Sequence, residues 1–253
     1  MAEPSHRGMR HEEDGMGTKQ AIGIDELSRV TGGTQNNSNN DSLAGDSLGN
    51  FLDGGNSQDT IDGRAGNDVL LGGEGDDKIR GGEGSDVVYA GTGQDTVFGN
   101  AGDDELNADG GDDRIFGGGG HDLIEGGQGH DVIHWAPGEG NDTVNGGADG
   151  DTLVLNFSGE GNLDRQFGIG SDDPKAMEKA LEALLGRIVL DPGSAQPRIE
   201  NGVINLTGVS GVIDLGPKGL GTGELIRFST LEKLQIDLTP RQADSFGADR
   251  PGA

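Results

Sequence analysis

The amino-acid sequence predicts an all-β solenoid, a flattened coil of short parallel strands, closed by a smaller C-terminal region containing one helix and strands. Three observations predict it. Residues 72–89 read GGEGDDKIR and then GGEGSDVVY, two nine-residue units with glycine at places one, two and four, aspartate at place six and an aliphatic residue at place eight. Such blocks run in register from Asn36 to His134, and resume after Trp135 and Ala136 as PGEGNDTVN (137–145) and GGADGDTLV (146–154). The composition, with 51 glycines in 253 residues, 30% hydrophobic and 4% aromatic residues, cannot build an ordinary core. Repeats of this length stack on their neighbours instead.

The repeat is phased, which a flexible glycine-rich linker would not be. Place eight is aliphatic in every block from Leu43 to Leu153. Place six reads Asp41, Asn50, Asp59, Asp68, Asp77, Asp86, Asp95, Asp104, Asp113, Asp122 and Asp131, then Asp142 and Asp151. Glycine at places one, two and four permits positive φ and close backbone approach, so the first six residues of a block are expected to turn. Places seven to nine are expected to form a three-residue strand whose alternation sends place eight inward. Two blocks then make one turn of the coil, and block n stacks on block n+2 at roughly the usual strand spacing of about 4.8 Å.

That stacking has a chemical consequence. Aspartates eighteen residues apart, such as Asp77 and Asp95, come above one another on one edge, and their carboxylates repel unless a cation lies between them. Turn carbonyls supply the other donors, which makes an all-oxygen site suited to Ca²⁺ rather than Zn²⁺. The charge balance points the same way. With 45 acidic and 18 basic residues the formal net charge is −27, so the compact chain repels itself, and disorder is expected without counter-cations. Such a chain is a poor partner for nucleic acid or anionic membrane. It has no cysteine, hence neither disulfides nor a cysteine-based zinc site. No apolar run is long enough to span a bilayer, and MAEPSHRGMRHEEDG lacks the apolar stretch of a secretory signal peptide.

Residues 54–134, read with these motifs, resemble the RTX (hemolysin-type) calcium-binding repeats, GGxGxDxUx. The resemblance implies a right-handed parallel β-roll in an exported bacterial protein. It also implies calcium held between blocks n and n+2 by place-six carboxylates and backbone carbonyls. The implied metal ligands are Asp59, Asp68, Asp77, Asp86, Asp95, Asp104, Asp113, Asp122 and Asp131, making seven gaps, with Asp142 and Asp151 adding two. Some blocks depart from the pattern. NNSNNDSLA and GDSLGNFLD lack glycine at place four, and the second carries Asn50 in place of aspartate, which reads as a degenerate cap. Arg64 at place two costs a turn glycine, whereas Asn100 and Asp109 there are residues that tolerate left-handed φ.

No catalytic constellation emerges. His121 and His130 both occupy place five, but consecutive blocks lie on opposite edges, so the two should not converge. No Ser/His/Asp order, HExxH helix or P-loop appears. On the outer face, Phe51, Val69, Leu71, Val87 and Tyr89 stack in neighbouring turns. That ladder is either a contact surface for a protein or surface partner, or is covered by the chain's own flanking segments. The other face carries Lys78, Arg80, Phe98, Arg114, Phe116 and His134.

The flanks read differently. Residues 1–35 form an N-terminal segment in which IDELSRVTGG (24–33) resembles the double-glycine leader of bacterial peptides exported by peptidase-containing ABC transporters. Glu26, Leu27, Val30 and Gly32-Gly33 carry that resemblance; a short amphipathic helix ended by glycine is the alternative. Residues 36–154 are the calcium-binding roll, and 155–253 the capping region. In the latter, Asp173-Pro174 starts a helix with an apolar stripe of Met177, Ala180, Leu181, Leu184 and Leu185, stopped by Gly186. Asn201-Gly202 marks a hairpin. IRFSTLEKLQIDL is expected to cap the open end of the roll, whose last strands would otherwise leave unpaired edges. The expected protein is non-enzymatic, secreted or at the cell surface, exported by type I (ABC) machinery, folded by Ca²⁺ outside the cell, and structural or adhesive. The alternative is a bacteriocin-like or toxin precursor exported through a peptidase-containing ABC transporter.

Overall fold

The computed structural model describes residues 39–157, 175–215 and 224–237. The leader-like segment 24–33 and the pair Asp173-Pro174 lie outside the described residues. Within them the chain is a parallel β-roll with two sheets. One contains β1 (Ser42–Ala44), β3 (Thr60–Ala65), β5 (Lys78–Glu83), β7 (Thr96–Ala101), β9 (Arg114–Gly119), β11 (Val132–Trp135) and β13 (Thr152–Asn156). The other contains β2 (Phe51–Asn56), β4 (Val69–Glu74), β6 (Val87–Thr92), β8 (Glu105–Gly110), β10 (Leu123–Gln128) and β12 (Asp142–Ala148). Every pairing within these two sets is parallel, and successive partners are offset by eighteen residues, as in Ile79↔Val97 and Leu70↔Val88. The offset becomes twenty across Trp135-Ala136, as in Ile133↔Leu153.

The strands are six residues long through most of the array, not the three expected. Places seven to nine continue through places one to three of the next block. The ladder skips place one, where Arg80↔Phe98 is followed by Gly82↔Asn100, and the backbone turns at place two with positive φ. The strand therefore bends around the corner of the coil without losing its neighbour, which the nine-residue pattern alone did not reveal.

Alternation sends places eight and one inward. The place-eight ladder from Leu43 to Leu153 is buried throughout, and Ala90 and Ala108 at place one are buried beside it. At place one the constraint is packing and not φ: a Cβ on Gly72 would stand 3.0 Å from Ile79 Cδ1 and 2.3 Å from the Ala90 carbonyl. At places two and four both reasons hold. Gly82 has φ +125°, and its missing Cβ would meet the Arg64 carbonyl oxygen at 1.9 Å. Arg64, Asn100 and Asp109 adopt the same left-handed backbone at place two, as do Ser57 and Asp149 at place four, so the turn survives these substitutions. Such a residue costs on the order of 1–2 kcal/mol.

The core widens toward the C-terminus. In the first sheet, place one carries glycine through Gly117, then Trp135 and Leu155, both buried and paired in register. Two strands continue the coil there without the repeat: β18 (Leu225–Ser229) pairs parallel with β12, and β19 (Lys233–Asp237) with β13. Phe228 falls over Val144 and Leu234 over Leu153, so both take the place-eight position. Antiparallel strands then finish each sheet. β16 (Val203–Asn205) and β15 (Arg198–Glu200) follow β19, while β17 (Gly211–Asp214) and β14 (Ile188–Leu190) follow β18. Asn201 and Gly202, both at positive φ, make the tight turn between β15 and β16. Helix α1 (Ala176–Leu185) buries Ala180, Leu181 and Leu184 in the same core. Gly186 follows it at φ −72°, so its freedom at positive φ is not what ends the helix.

On the outer faces, Phe98, Phe116 and His134 stack with ring centroids 4.8 and 4.4 Å apart. On the opposite sheet Phe51, Val69, Leu71 and Val87 are half-buried and Tyr89 is exposed. Among the described residues no helix is long and apolar enough to cross a membrane.

The steric contrast between two glycines is testable. Gly82→Ala should lower stability by at least about 2 kcal/mol, from left-handed strain plus a backbone clash. Gly110→Ala, with no atom within 4 Å of its Cβ and no positive φ, should stay within about 0.5 kcal/mol. Thermal unfolding in saturating calcium measures both.

Candidate metal centre

Stacking gathers the place-six aspartates into two columns. Asp59, Asp77, Asp95, Asp113, Asp131 and Asp151 follow one edge, and Asp68, Asp86, Asp104, Asp122 and Asp142 the other. All eleven are buried, none more than 4% exposed. Each sits where the turn ends and the strand begins, so its side chain reaches back along the coil axis.

The two oxygens of each carboxylate have different fates. Oδ1 accepts the backbone N–H of the place-six residue one turn earlier. The Asp59 N–H donates to Asp77 Oδ1 at 2.7 Å, Asp77 to Asp95 at 2.7 Å, Asp86 to Asp104 at 2.8 Å and Asp131 to Asp151 at 3.0 Å. The ladder begins with Asp41 and Asn50, which donate to Asp59 and Asp68. Oδ2 has no partner. On Asp59, Asp68, Asp77, Asp86, Asp95, Asp104, Asp113, Asp122, Asp131 and Asp151 it is buried and accepts no hydrogen bond. A buried acceptor without a donor costs about 1–3 kcal/mol, and more when charged; here that cost recurs along both columns.

Electrostatics agree. Burial raises every one of these carboxyls; the Oδ1 hydrogen bond opposes the rise, and neighbouring acids add to it. Asp77, Asp86, Asp113 and Asp142 are pushed up to about 7 and Asp104 to about 8. Asp68, Asp95, Asp122 and Asp151 reach about 6. Without a compensating cation the columns favour protonation near neutral pH.

A hard cation suits the surroundings of Oδ2. Where a Cβ on Gly54 would stand, Asp59 Oδ2 lies 2.5 Å away and the Gly72 carbonyl of the next turn 2.8 Å; Gly63 and Gly81 repeat the arrangement with Asp68 and Asp86. The donors are oxygens only. Among the described residues no three His, Cys, Asp or Glu side chains converge, so backbone carbonyls must complete any coordination sphere, as oxygen-rich calcium sites allow.

A second ladder, which the sequence reasoning missed, runs along place five. Asp76 Oδ1 accepts the Gln94 N–H, Asn67 Oδ1 the Ser85 N–H, Asp103 Oδ1 the His121 N–H and Asp112 Oδ1 the His130 N–H. The signal was available: Asn67, Asp76, Asp103, Asp112 and Asn141 recur there. His121 and His130 are exposed in different columns and do not meet. Each Nδ1 accepts an N–H from the next turn, of Asn141 and Gly150 respectively. Asn50 is satisfied locally, since its Oδ1 accepts the Asp46 N–H and its Nδ2 donates to Asp46 Oδ1.

A family model described as the RTX calcium-binding nonapeptide repeat matches residues 35–70, 63–97, 71–106, 98–133 and 138–155. No curated protein matches the chain. Register, unpartnered carboxylate oxygens and sequence match coincide over the same residues: residues 35–133 and 138–155 are RTX calcium-binding nonapeptide repeats, wound into a parallel β-roll.

Proposed function

We propose that this chain is an exported bacterial calcium-binding protein, structural or adhesive in role, whose roll folds outside the cell when Ca²⁺ binds. The column of buried, unpartnered Oδ2 atoms carries the reading. Asp59, Asp68, Asp77, Asp86, Asp95, Asp104, Asp113, Asp122, Asp131, Asp142 and Asp151 would hold about seven to nine ions together with turn carbonyls. When bound, Ca²⁺ neutralises the columns. Because the columns exist only when turns are stacked, binding free energy becomes folding free energy. Extracellular calcium modules commonly work with dissociation constants of about 10⁻⁴–10⁻³ M, so a calcium-poor cytosol leaves the chain unstacked and exportable. The half-buried Phe51, Val69, Leu71 and Val87 with exposed Tyr89 favour an adhesive role. Glu26, Leu27, Val30 and Gly32-Gly33 favour a second reading, a bacteriocin-like or toxin precursor cut after Gly33.

Mass spectrometry of cells and culture supernatant separates the readings. Export predicts the chain in the supernatant; cleavage predicts a form beginning at Thr34, and a form confined to cells contradicts both.

Acidity supplies a further prediction. The place-six carboxyls have folded values of about 6–8 for most members, above the unfolded value near 3.8. The metal-free roll therefore holds protons that the unfolded chain has lost. Its stability is fully present below the unfolded value and lost as pH rises through about 6–8. In chelator, far-UV circular dichroism should show β-structure gained as pH falls from about 8 toward 4.5. A metal-free signal that is flat over this range contradicts the assignment.

A further inference from the structure

The two carboxylate columns end differently in the C-terminal cap. In the column of Asp68 and Asp142 the next place six is Ile226, fully buried, so the column stops. In the column of Asp131 and Asp151 the parallel register of β13 and β19 sets Leu234 over Leu153, which puts Glu232 at place six. Glu232 behaves as a repeat aspartate does. Its Oε2 accepts the Asp151 N–H at 2.6 Å, the bond that Asp151 itself makes with Asp131, and the Lys233 N–H donates to the Asp151 carbonyl at 3.1 Å as place-seven residues do along the array.

The gap below Glu232 has the features of the repeat gaps. Asp151 is fully buried and its Oδ2 has no hydrogen-bond partner. At the missing Cβ of Gly146, Asp151 Oδ2 lies 2.6 Å away and the Thr230 carbonyl 2.7 Å, the position a place-one carbonyl takes elsewhere. Thr230 reaches it at φ +52°, unusual for a β-branched residue. Its hydroxyl oxygen also accepts the Gly147 N–H, fastening the turn to the last repeat.

We infer that the junction between the last repeat and the cap is one more divalent-cation site, a calcium site held by Asp151, the Thr230 carbonyl and Glu232. Glu232 is supplied by a strand outside the repeats. This rests on the calcium reading of the roll. It makes docking of β19, and with it the cap, calcium-dependent at one edge only, while the Ile226 edge is closed by apolar packing. Glu224 at that edge accepts the Gly138 N–H and lies outside the column, so it serves as the control.

The test counts calcium bound per full-length chain by equilibrium dialysis and follows cap docking through Trp135, the sole tryptophan, buried in the core that the cap residues share. Glu232→Gln keeps an oxygen for the Asp151 N–H and loses the charge. It should bind one calcium fewer and raise the calcium midpoint of the Trp135 signal several-fold. Glu232→Asp, the residue the repeats carry here, should keep the wild-type count, as should Glu224→Gln, and Asp95→Asn in mid-array should lower it. A Glu232→Gln chain with the wild-type count and midpoint overturns the site while leaving the roll's calcium intact. A Glu232→Asp chain that loses the ion along with Glu232→Gln overturns it also. Wild-type protein that binds no calcium sinks the underlying reading and this site together.

Discussion

The hydrogen bond from the backbone N–H of one place-six residue to the Oδ1 of the next, one turn on, governs the rest of the molecule. It fixes the register of the stack, because a slip of one residue would point every carboxylate the wrong way. It also draws each carboxylate into the roll and leaves Oδ2 buried with nothing to accept. The fold therefore creates its own electrostatic problem, repeated at every turn, and an oxygen-seeking divalent cation is the proposed answer.

The chain's odd composition follows from the same constraint. A coil this tight leaves little room for a side chain at places two and four, where one turn's carbonyl faces the next turn's α-carbon, or at place one beside the carboxylate. Glycine fills those positions, the aliphatic ladder supplies the apolar burial, and the acids supply the charge. A fully buried Leu or Ile contributes about 1.5–3 kcal/mol, against roughly 1–2 kcal/mol of backbone entropy for each ordered residue. One such side chain in nine residues does not balance that cost. The metal-linked folding proposed above suits a core this thin. That thinness is relieved at the C-terminal end, where Trp135 and Leu155 stand in place of place-one glycine, Phe228 takes a place-eight position and the sheets turn antiparallel.

Much of this was legible in the sequence. The place-eight ladder, the eighteen-residue stack and the two aspartate columns follow from a strict nine-residue phase, and the Asn201-Gly202 turn from its residue types. What was not legible depends on atoms that no period encodes. Six-residue strands arise because places two and three pair around the corner despite their glycines. The split between Oδ1 and Oδ2 is a matter of side-chain direction. Glu232 stays hidden because it enters the column from outside the phase, through β19, whose pairing with β13 joins residues eighty-one apart. Gly186 misled in the opposite sense, a glycine at a helix end that does not use left-handed φ.

Far-UV circular dichroism of the full chain at neutral pH, in chelator and then in millimolar calcium, tests the central claim most directly. The account predicts a largely disordered spectrum in chelator and a cooperative gain of β signal with calcium. Magnesium should substitute poorly, because it demands a small octahedral cage. The same folded spectrum in chelator and in calcium would contradict it.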